Sequence, residues 1–107
     1  MAKEEAIALL KKYIEVLNKE GISVVKAFLY GSYAEDTANI DSDIDVMLVS
    51  NLYNENDDKI IGKIWSLTRK VNTKIEPFLI GEKSFNKGYF SPLINDVKSR
   101  GTRVYPN

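Results

Sequence analysis

The sequence predicts one domain of mixed α/β (α+β) class, in which a small mixed β-sheet is flanked by helices. Two observations predict this class. Apolar residues at helical spacing alternate along the chain with short runs of β-branched and aromatic residues, which are typical of strands. The chain has 107 residues, of which 44% are hydrophobic, so it can bury one modest core and has no room for a second folded domain. Residues 1–107 are therefore expected to form a single domain.

The first half of the chain predicts a helix, two strands and a tight turn between them. Apolar residues at three- and four-residue spacing predict a helix over residues 3–20, which ends at a glycine. Residues 22–30 are rich in β-branched and aromatic side chains and predict the first strand. A short helix is predicted over residues 32–38 and the second strand over residues 43–50. A Gly-Ser turn at residues 31–32 thus follows the carboxyl end of a strand.

The second half predicts two more helices and a third strand. After a polar loop at residues 51–58, the apolar spacing predicts a helix over residues 57–70 with Trp65 in the core. Residues 71–80 predict the third strand, and Pro77 places it at a sheet edge or a bulge because proline cannot donate a ladder hydrogen bond. A loop is predicted over residues 81–90. Ser91 and Pro92 then predict the start of a last helix, Gly101 predicts its end, and residues 102–105 predict a short extended tail.

Composition limits the available chemistry. The chain contains no Cys and no His, which excludes disulfides, zinc fingers, thiol nucleophiles and imidazole bases. Carboxylates, hydroxyls and amines remain, and oxygen-ligated Mg²⁺ or Mn²⁺ fits that inventory. A pI near 6.3 gives no general basic footprint, so strong binding to nucleic acid is not expected. With no signal peptide and no apolar run of membrane-spanning length, a soluble cytoplasmic protein is expected.

The most informative stretch joins the Gly-Ser turn to two carboxylates that follow ten residues later. Asp43 and Asp45 open an apolar strand, and residues two apart on a strand share one face. Their Cα atoms are expected about 6.6 Å apart, so both carboxylates can lean toward one or two hard cations. The N–H groups that open the predicted short helix point back at the turn, which is a favourable place for a phosphate. The stretch is therefore predicted to hold metal-bound phosphate.

The distribution of charge favours the same interpretation. Residues 31–58 contain eight acidic residues and no Lys or Arg, although the formal net charge of the chain is zero. Carboxylates this close normally raise one another's pKa or bind metal, and metal is the more economical interpretation. An EF-hand loop is excluded because Val46 and Leu52 stand where that loop needs Gly and Glu. The glycine patterns of P-loop and Rossmann proteins are absent.

The two motifs together resemble those of the DNA polymerase beta superfamily, and more narrowly those of its minimal nucleotidyltransferases. That family has Gly-Ser-x-Ala-Arg-Gly-x-Ala followed by Ser-Asp-Ile-Asp at the start of a strand. The order of the predicted elements is also similar to that of the family, so the resemblance covers essentially the whole chain. It implies the polymerase beta-like nucleotidyltransferase fold. The matching residues are Gly31, Ser32, Ala34, Ala38, Ser42, Asp43, Ile44 and Asp45.

The resemblance implies an enzyme that transfers a nucleoside monophosphate, AMP from ATP, to a hydroxyl group. It implies two Mg²⁺ ions, or Mn²⁺, held by Asp43, Asp45 and a third carboxylate on the next strand, where Glu76 occupies the matching position. Glu76 would also accept the proton of the attacking hydroxyl. Gly31 and Ser32, together with the two aspartates, would bind the metal-bound triphosphate.

The resemblance also implies a partner and a biological setting. Larger relatives have an additional helical domain that closes over the substrate, so a partner chain or self-association is expected to complete the pocket. In the family the partner is a helical HEPN-domain ribonuclease, a toxin that the nucleotidyltransferase neutralises by adenylylating a Tyr. An antitoxin role is therefore expected.

One departure from the family pattern keeps other functions open. Glu35 and Asp36 replace the Arg-Gly pair, which removes a cation near the triphosphate, and Lys83 and Lys87 are candidates to compensate. A first alternative is a non-catalytic subunit that binds nucleotide or metal and regulates a helical partner by binding. A second is transfer to a small molecule such as an aminoglycoside, for which the acids of residues 51–58 would form an acidic recess.

Overall fold

The structure is a computed structural model that describes residues 1–87 and 91–107. Its centre is a four-stranded β-sheet with helices on both faces. Two 3₁₀ turns, Gly31–Tyr33 and Thr68–Lys70, lie between the longer elements. The helices and strands are α1 (Lys3–Lys19), β1 (Lys26–Tyr30), β2 (Ile44–Ser50), α2 (Asp58–Leu67), β3 (Ile75–Gly81), α3 (Glu82–Asn86), α4 (Pro92–Arg100) and β4 (Thr102–Tyr105).

The sheet is mixed, as predicted, and its strand order is β3-β2-β1-β4. Strand β1 pairs antiparallel with both β2 and β4, whereas β2 pairs parallel with β3. A parallel pair needs a crossover connection, and α2 supplies it. Pro77 lies in β3, at an edge of the sheet, which confirms the edge placement predicted from its missing donor.

Alternation along β2 divides the interior into two cores. Ile44, Val46 and Leu48 are buried in the larger core, which includes the apolar faces of α1 and α2. Met47 and Val49 point the other way, into a smaller core with apolar residues of α3 and α4. Because Asp45 has the same parity as Met47, its side chain lies on the face of the sheet that α3 and α4 cover.

The larger core contains a buried hydrogen bond between helices. The hydroxyl of Tyr13 donates to the carbonyl of Ile64 in α2 at 2.6 Å, and the tyrosine is fully buried. Burial raises the pKa of this phenol well above its ordinary value, so it stays a neutral donor. The bond connects α1 to α2 without leaving a buried polar group unpaired.

No helix among the described residues is long and apolar enough to cross a membrane.

The prediction that Trp65 lies in the core is wrong, because its exposed fraction is 44%. Ile64 and Leu67, which flank it on the helix, are buried instead. The core-facing stripe of α2 thus includes Leu67 in place of Trp65, which is a small rotation from the stripe that the sequence indicated. The buried Thr68 donates its hydroxyl to the carbonyl of Trp65 at 2.7 Å and closes the end of the helix.

Other elements differ from their predicted bounds. The first and third strands begin later than predicted, because residues 22–25 and 71–74 are linkers whose apolar side chains fill the core without pairing along a full ladder. The predicted helix over residues 32–38 is reduced to a 3₁₀ turn that continues into a further turn over residues 34–36. The predicted loop over residues 81–90 contains α3, and residues 88–90 of that prediction lie outside the described part of the chain.

Candidate active site

Three polar side chains form a row across one face of the sheet. Asp45 of β2 is opposite Tyr30 of β1 and opposite Glu76 of β3 in the strand register. All three have the parity that faces α3 and α4, and all three are partly exposed. The register of two strand pairs therefore brings together residues that are distant in sequence.

The carboxylates of Asp45 and Glu76 are close enough to share a hydrogen bond. Burial, the charge of Glu76, the charge of Asp43 and this hydrogen bond raise the pKa of Asp45 to about 6. Asp43 is exposed just before the strand begins. The three predicted carboxylates therefore lie in one electrostatically coupled region, with Asp45 at its centre.

Tyr30 is the member of the row that the sequence did not predict. Burial, Asp45 and then Glu76 raise the pKa of its phenol to about 12. The phenol consequently remains protonated near neutral pH, as a hydrogen-bond donor beside two carboxylates. The sequence signal that could have identified Tyr30 is its position directly before the Gly-Ser turn, at the end of a strand.

Gly31 places the Gly-Ser turn against the carboxylates. Its φ is +74°, in the left-handed region that favours glycine, and a Cβ at this position would lie 2.5 Å from Oδ2 of Asp45. The carbonyl of Gly31 accepts the N–H groups of Ala34 and Glu35 at 3.1 and 3.2 Å, which closes the turn. Gly31 therefore lies next to Asp45, and Ser32 is the next residue of the turn.

The donor chemistry of this region fits a hard divalent cation. Two carboxylates that share a hydrogen bond repel each other once both are charged, and a cation offsets that repulsion as a proton does. Oxygen atoms are the ligands that Mg²⁺ prefers. Within residues 1–87 and 91–107, no three acidic side chains already converge as a metal-binding group. The joint metal role of Asp43, Asp45 and Glu76 stays a prediction.

Comparison with known proteins identifies the family. A family model described as a nucleotidyltransferase domain matches residues 10–100, most of the chain. The chain belongs to this family of nucleotidyltransferase domains.

Two solved structures share the fold of this nucleotidyltransferase domain. A proposed nucleotidyltransferase from Sulfolobus solfataricus is 16% identical and superposes with a TM-score of 0.61, covering 79% of this chain and 75% of that chain. A variant of the toxin–antitoxin MntA–HpeT is 17% identical, with a TM-score of 0.61, covering 91% of this chain and 73% of that chain. At these identities the likeness concerns the fold, which confirms the predicted fold class. No curated protein gives a significant match.

The structure shows how this nucleotidyltransferase domain accommodates its departure from the Arg-Gly pair of the motif. Glu35 forms an ion pair with Arg100, at the end of α4, with 3.0 Å between Oε1 and the guanidinium nitrogen. Asp36, at the Gly position of the motif, adopts a φ of +57°, in the left-handed region that favours glycine. Lys83 and Lys87 are exposed, and Lys83 lies beyond the carboxyl end of β3, at the opposite end of that strand from Glu76.

Substitutions at Asp36 test this left-handed turn. Asp36→Gly is expected to leave the free energy of unfolding unchanged or to raise it by about 0.5 kcal/mol, because glycine adopts positive φ without strain but loses more entropy on folding. Asp36→Val should lower the free energy of unfolding by roughly 1–2 kcal/mol, since a β-branched side chain clashes in this conformation. Urea denaturation measures both. Equal effects of Gly and Val would contradict the assigned conformation.

Two of the three acids of residues 51–58 have structural roles at the other end of the sheet. Glu55 accepts hydrogen bonds from the N–H of Gly81 at 2.9 Å and from the hydroxyl of Ser84 at 2.6 Å. Asp57 accepts the N–H of Asn54 at 2.8 Å. These contacts shape a crevice of about 360 Å³ at the carboxyl ends of β2 and β3. The crevice and the Gly-Ser turn lie at opposite ends of β2, so this segment does not supply the acidic recess considered for small-molecule transfer.

Proposed function

We propose that this nucleotidyltransferase moves AMP from Mg²⁺-bound ATP to a hydroxyl group of a partner protein. The observation that supports it best is the contact between the Gly-Ser turn and the coupled carboxylates, with 2.5 Å between Oδ2 of Asp45 and a Cβ position at Gly31. A triphosphate at the turn would therefore lie beside the acidic residues that attract its cation. Phosphate and carboxylates repel each other, so their proximity is favourable only where a cation binds.

Each residue of the site has a proposed role. Gly31 has no side chain, so the phosphates can approach the backbone closely, and the hydroxyl of Ser32 donates to a phosphate oxygen. Asp43, Asp45 and Glu76 would hold the divalent cations, which would offset phosphate charge and polarise the reacting oxygens. The acceptor oxygen bonds to the α-phosphorus, the bond from that phosphorus to the oxygen bridging to the β-phosphorus breaks, and pyrophosphate leaves. Glu76 accepts the proton of the acceptor hydroxyl.

The proposed acceptor is a Tyr of a helical toxin partner of the HEPN class, so that transfer neutralises the toxin. The fold likeness to the toxin–antitoxin MntA–HpeT supports this setting. The exposure of the site also supports a macromolecular acceptor, because Asp43 is exposed and Glu76 is only partly buried. Phe78 lies on the same strand face as Glu76, two residues away, and its exposed fraction is 40%. It offers an apolar contact beside the site.

Labelling of host proteins tests the proposal. The purified protein is incubated with Mg²⁺, α-labelled ATP and host lysate, and label is followed by gel and mass spectrometry. We expect label on a discrete protein with the wild type and with Asp41→Asn, but not with Asp43→Asn. Asp41 is the matched control, since it is an exposed acid of the same loop whose N–H is held by the side chain of Asn39. Label that persists in Asp43→Asn would contradict the assigned site.

Glu76→Gln separates turnover from binding. If Glu76 both holds a cation and accepts the proton, the variant should lose roughly 100-fold or more in transfer rate, the range of a general base. ATP affinity should fall much less, because Asp43 and Asp45 remain. Single-turnover transfer and calorimetric ATP binding measure the two quantities. An unchanged rate would remove Glu76 from the reaction.

Toxin neutralisation distinguishes catalysis from binding. If transfer is the function, Asp43→Asn should bind the partner but fail to neutralise it. Full neutralisation by that variant would instead support the non-catalytic subunit that regulates its partner by binding.

A further inference from the structure

We propose that Arg100 supplies the cation that binds the β- and γ-phosphates of the nucleotide, with Glu35 and Asp96 as its positioning residues. This inference rests on the proposed function of the site. It assigns to the end of α4 the cation that the family motif has at the position of Glu35.

The first observation is how Arg100 is held. Its guanidinium bridges two carboxylates on different elements, Asp96 one turn earlier in α4 and Glu35 in the turn after β1. The Nε atom donates to Oδ1 of Asp96 at 2.7 Å, and one terminal nitrogen also contacts this carboxylate. The other terminal nitrogen lies 3.0 Å from Oε1 of Glu35. Contacts on two sides fix the plane of the group, as recognition of a phosphate requires.

The second observation is the position of Arg100 relative to the site. The helix α4 packs on the face of the sheet that holds Asp45 and Glu76, and its last residue precedes Gly101. A Cβ on Gly101 would lie 3.3 Å from the carbonyl of Leu29, two residues before Gly31. On the other side, Glu35 donates its N–H to the carbonyl of Gly31 at 3.2 Å. Two independent contacts therefore place Arg100 beside the Gly-Ser turn.

The third observation is that the guanidinium has N–H donors beyond those that contact Asp96 and Glu35. It has five N–H donors, of which the contacts with Asp96 and Glu35 engage three among the described residues. Its side chain is 62% exposed, so the remaining donors are accessible to a ligand. An exposed ion pair of this kind contributes little to folding stability, so stability alone does not explain the arrangement. A polyanion at the turn would use the two remaining donors.

Nucleotide binding to the full chain tests the inference. With Mg²⁺ present, Arg100→Ala is expected to weaken ATP binding by about 10- to 100-fold, the range of a charge-assisted hydrogen bond pair. AMP binding should change less than about twofold, because AMP lacks the two outer phosphates. Lys11→Ala is the matched control, since it removes an equal charge from an exposed position of α1, on the other face of the sheet. It should leave both affinities unchanged.

A charge exchange tests the positioning role of Glu35. Glu35→Arg with Arg100→Glu rebuilds the ion pair with its polarity reversed and returns a cation to the turn. This double variant should bind ATP within a few fold of the wild type, whereas Arg100→Glu alone should be the weakest binder. A merely structural pair would make all of these variants alike in their preference for ATP over AMP.

Three results would overturn the inference, and they differ from failure of the proposed function. They are an unchanged ATP affinity in Arg100→Ala, an equal loss of ATP and AMP binding, or a wild type that binds ATP no better than AMP. In contrast, a wild type that binds ATP through Arg100 but transfers no AMP would contradict the proposed function and leave this inference standing.

Discussion

Gly31→Ala is expected to abolish most nucleotide transfer and to destabilise the fold. The added methyl group would lie 2.5 Å from Oδ2 of Asp45, and the residue would have to keep a φ of +74°. Left-handed backbone costs an ordinary residue roughly 1–2 kcal/mol, and relief of the contact needs movement of Asp45 itself. A displacement of about 1 Å at reacting groups can reduce the rate roughly 100-fold. Urea denaturation and AMP transfer measure the two losses.

Two other glycines separate backbone strain from the clash with Asp45. Gly21 has a φ of +81° and no atom within 4 Å of an added Cβ, so Gly21→Ala should show strain alone and retain transfer. Gly62 lies in α2, also with nothing within 4 Å, and Gly62→Ala should raise the free energy of unfolding by about 0.5–1 kcal/mol. If Gly31→Ala proves no more harmful to transfer than Gly21→Ala, the contact with Asp45 is not part of the site.

Asp45→Asn is expected to lose about 1,000-fold or more of transfer while gaining stability. The loss follows because a cation contributes several kcal/mol to stabilising phosphate charge, and each 1.36 kcal/mol is tenfold in rate. The gain follows because burial and the charge of Glu76 disfavour the ionised form of Asp45, as its raised pKa of about 6 indicates. After allowance for its partial exposure, removal of that charge should add about 1 kcal/mol in metal-free buffer at neutral pH.

Thermal unfolding in the presence of EDTA measures the gain in stability of Asp45→Asn, and single-turnover transfer with Mg²⁺ measures its loss of transfer rate. For a domain of this size, 1 kcal/mol corresponds to a rise in Tm of about 4 °C. Asp41→Asn should change neither quantity, since its carboxylate is exposed in the preceding loop. A variant that is both less stable and inactive would indicate that Asp45 maintains the fold, which would contradict its assignment to the site.

Much of the fold could be predicted because local patterns determine it. The apolar spacing of α1 predicted that helix within one residue, and Ser91 caps α4 by accepting the N–H of Ile94. The apolar run after Asp43 correctly predicted strand β2, with Asp45 near its start. The missing donor of Pro77 correctly placed β3 at an edge. Each of these features depends on neighbours in the sequence.

The remaining features depend on contacts between distant segments. The row of Tyr30, Asp45 and Glu76 arises from the register of two strand pairs, which a single sequence does not specify. The ion pair of Glu35 with Arg100 joins a turn to a helix end across 65 positions of the chain, so the acidic replacement in the motif gave no indication of its cation. The small rotation of α2 that exposes its Trp likewise depends on tertiary packing.

A pair of labelling reactions tests the central claim, nucleotidyl transfer, most directly. The wild-type protein is incubated with Mg²⁺ and partner-containing lysate, once with ATP labelled at the α-phosphate and once with ATP labelled at the γ-phosphate. We expect the α-label on a Tyr of one helical partner protein, release of the γ-label as pyrophosphate, and neither with Asp45→Asn. Transfer of the γ-label to the partner would mean phosphoryl transfer and would contradict the account, as would partner neutralisation with no label transferred at all.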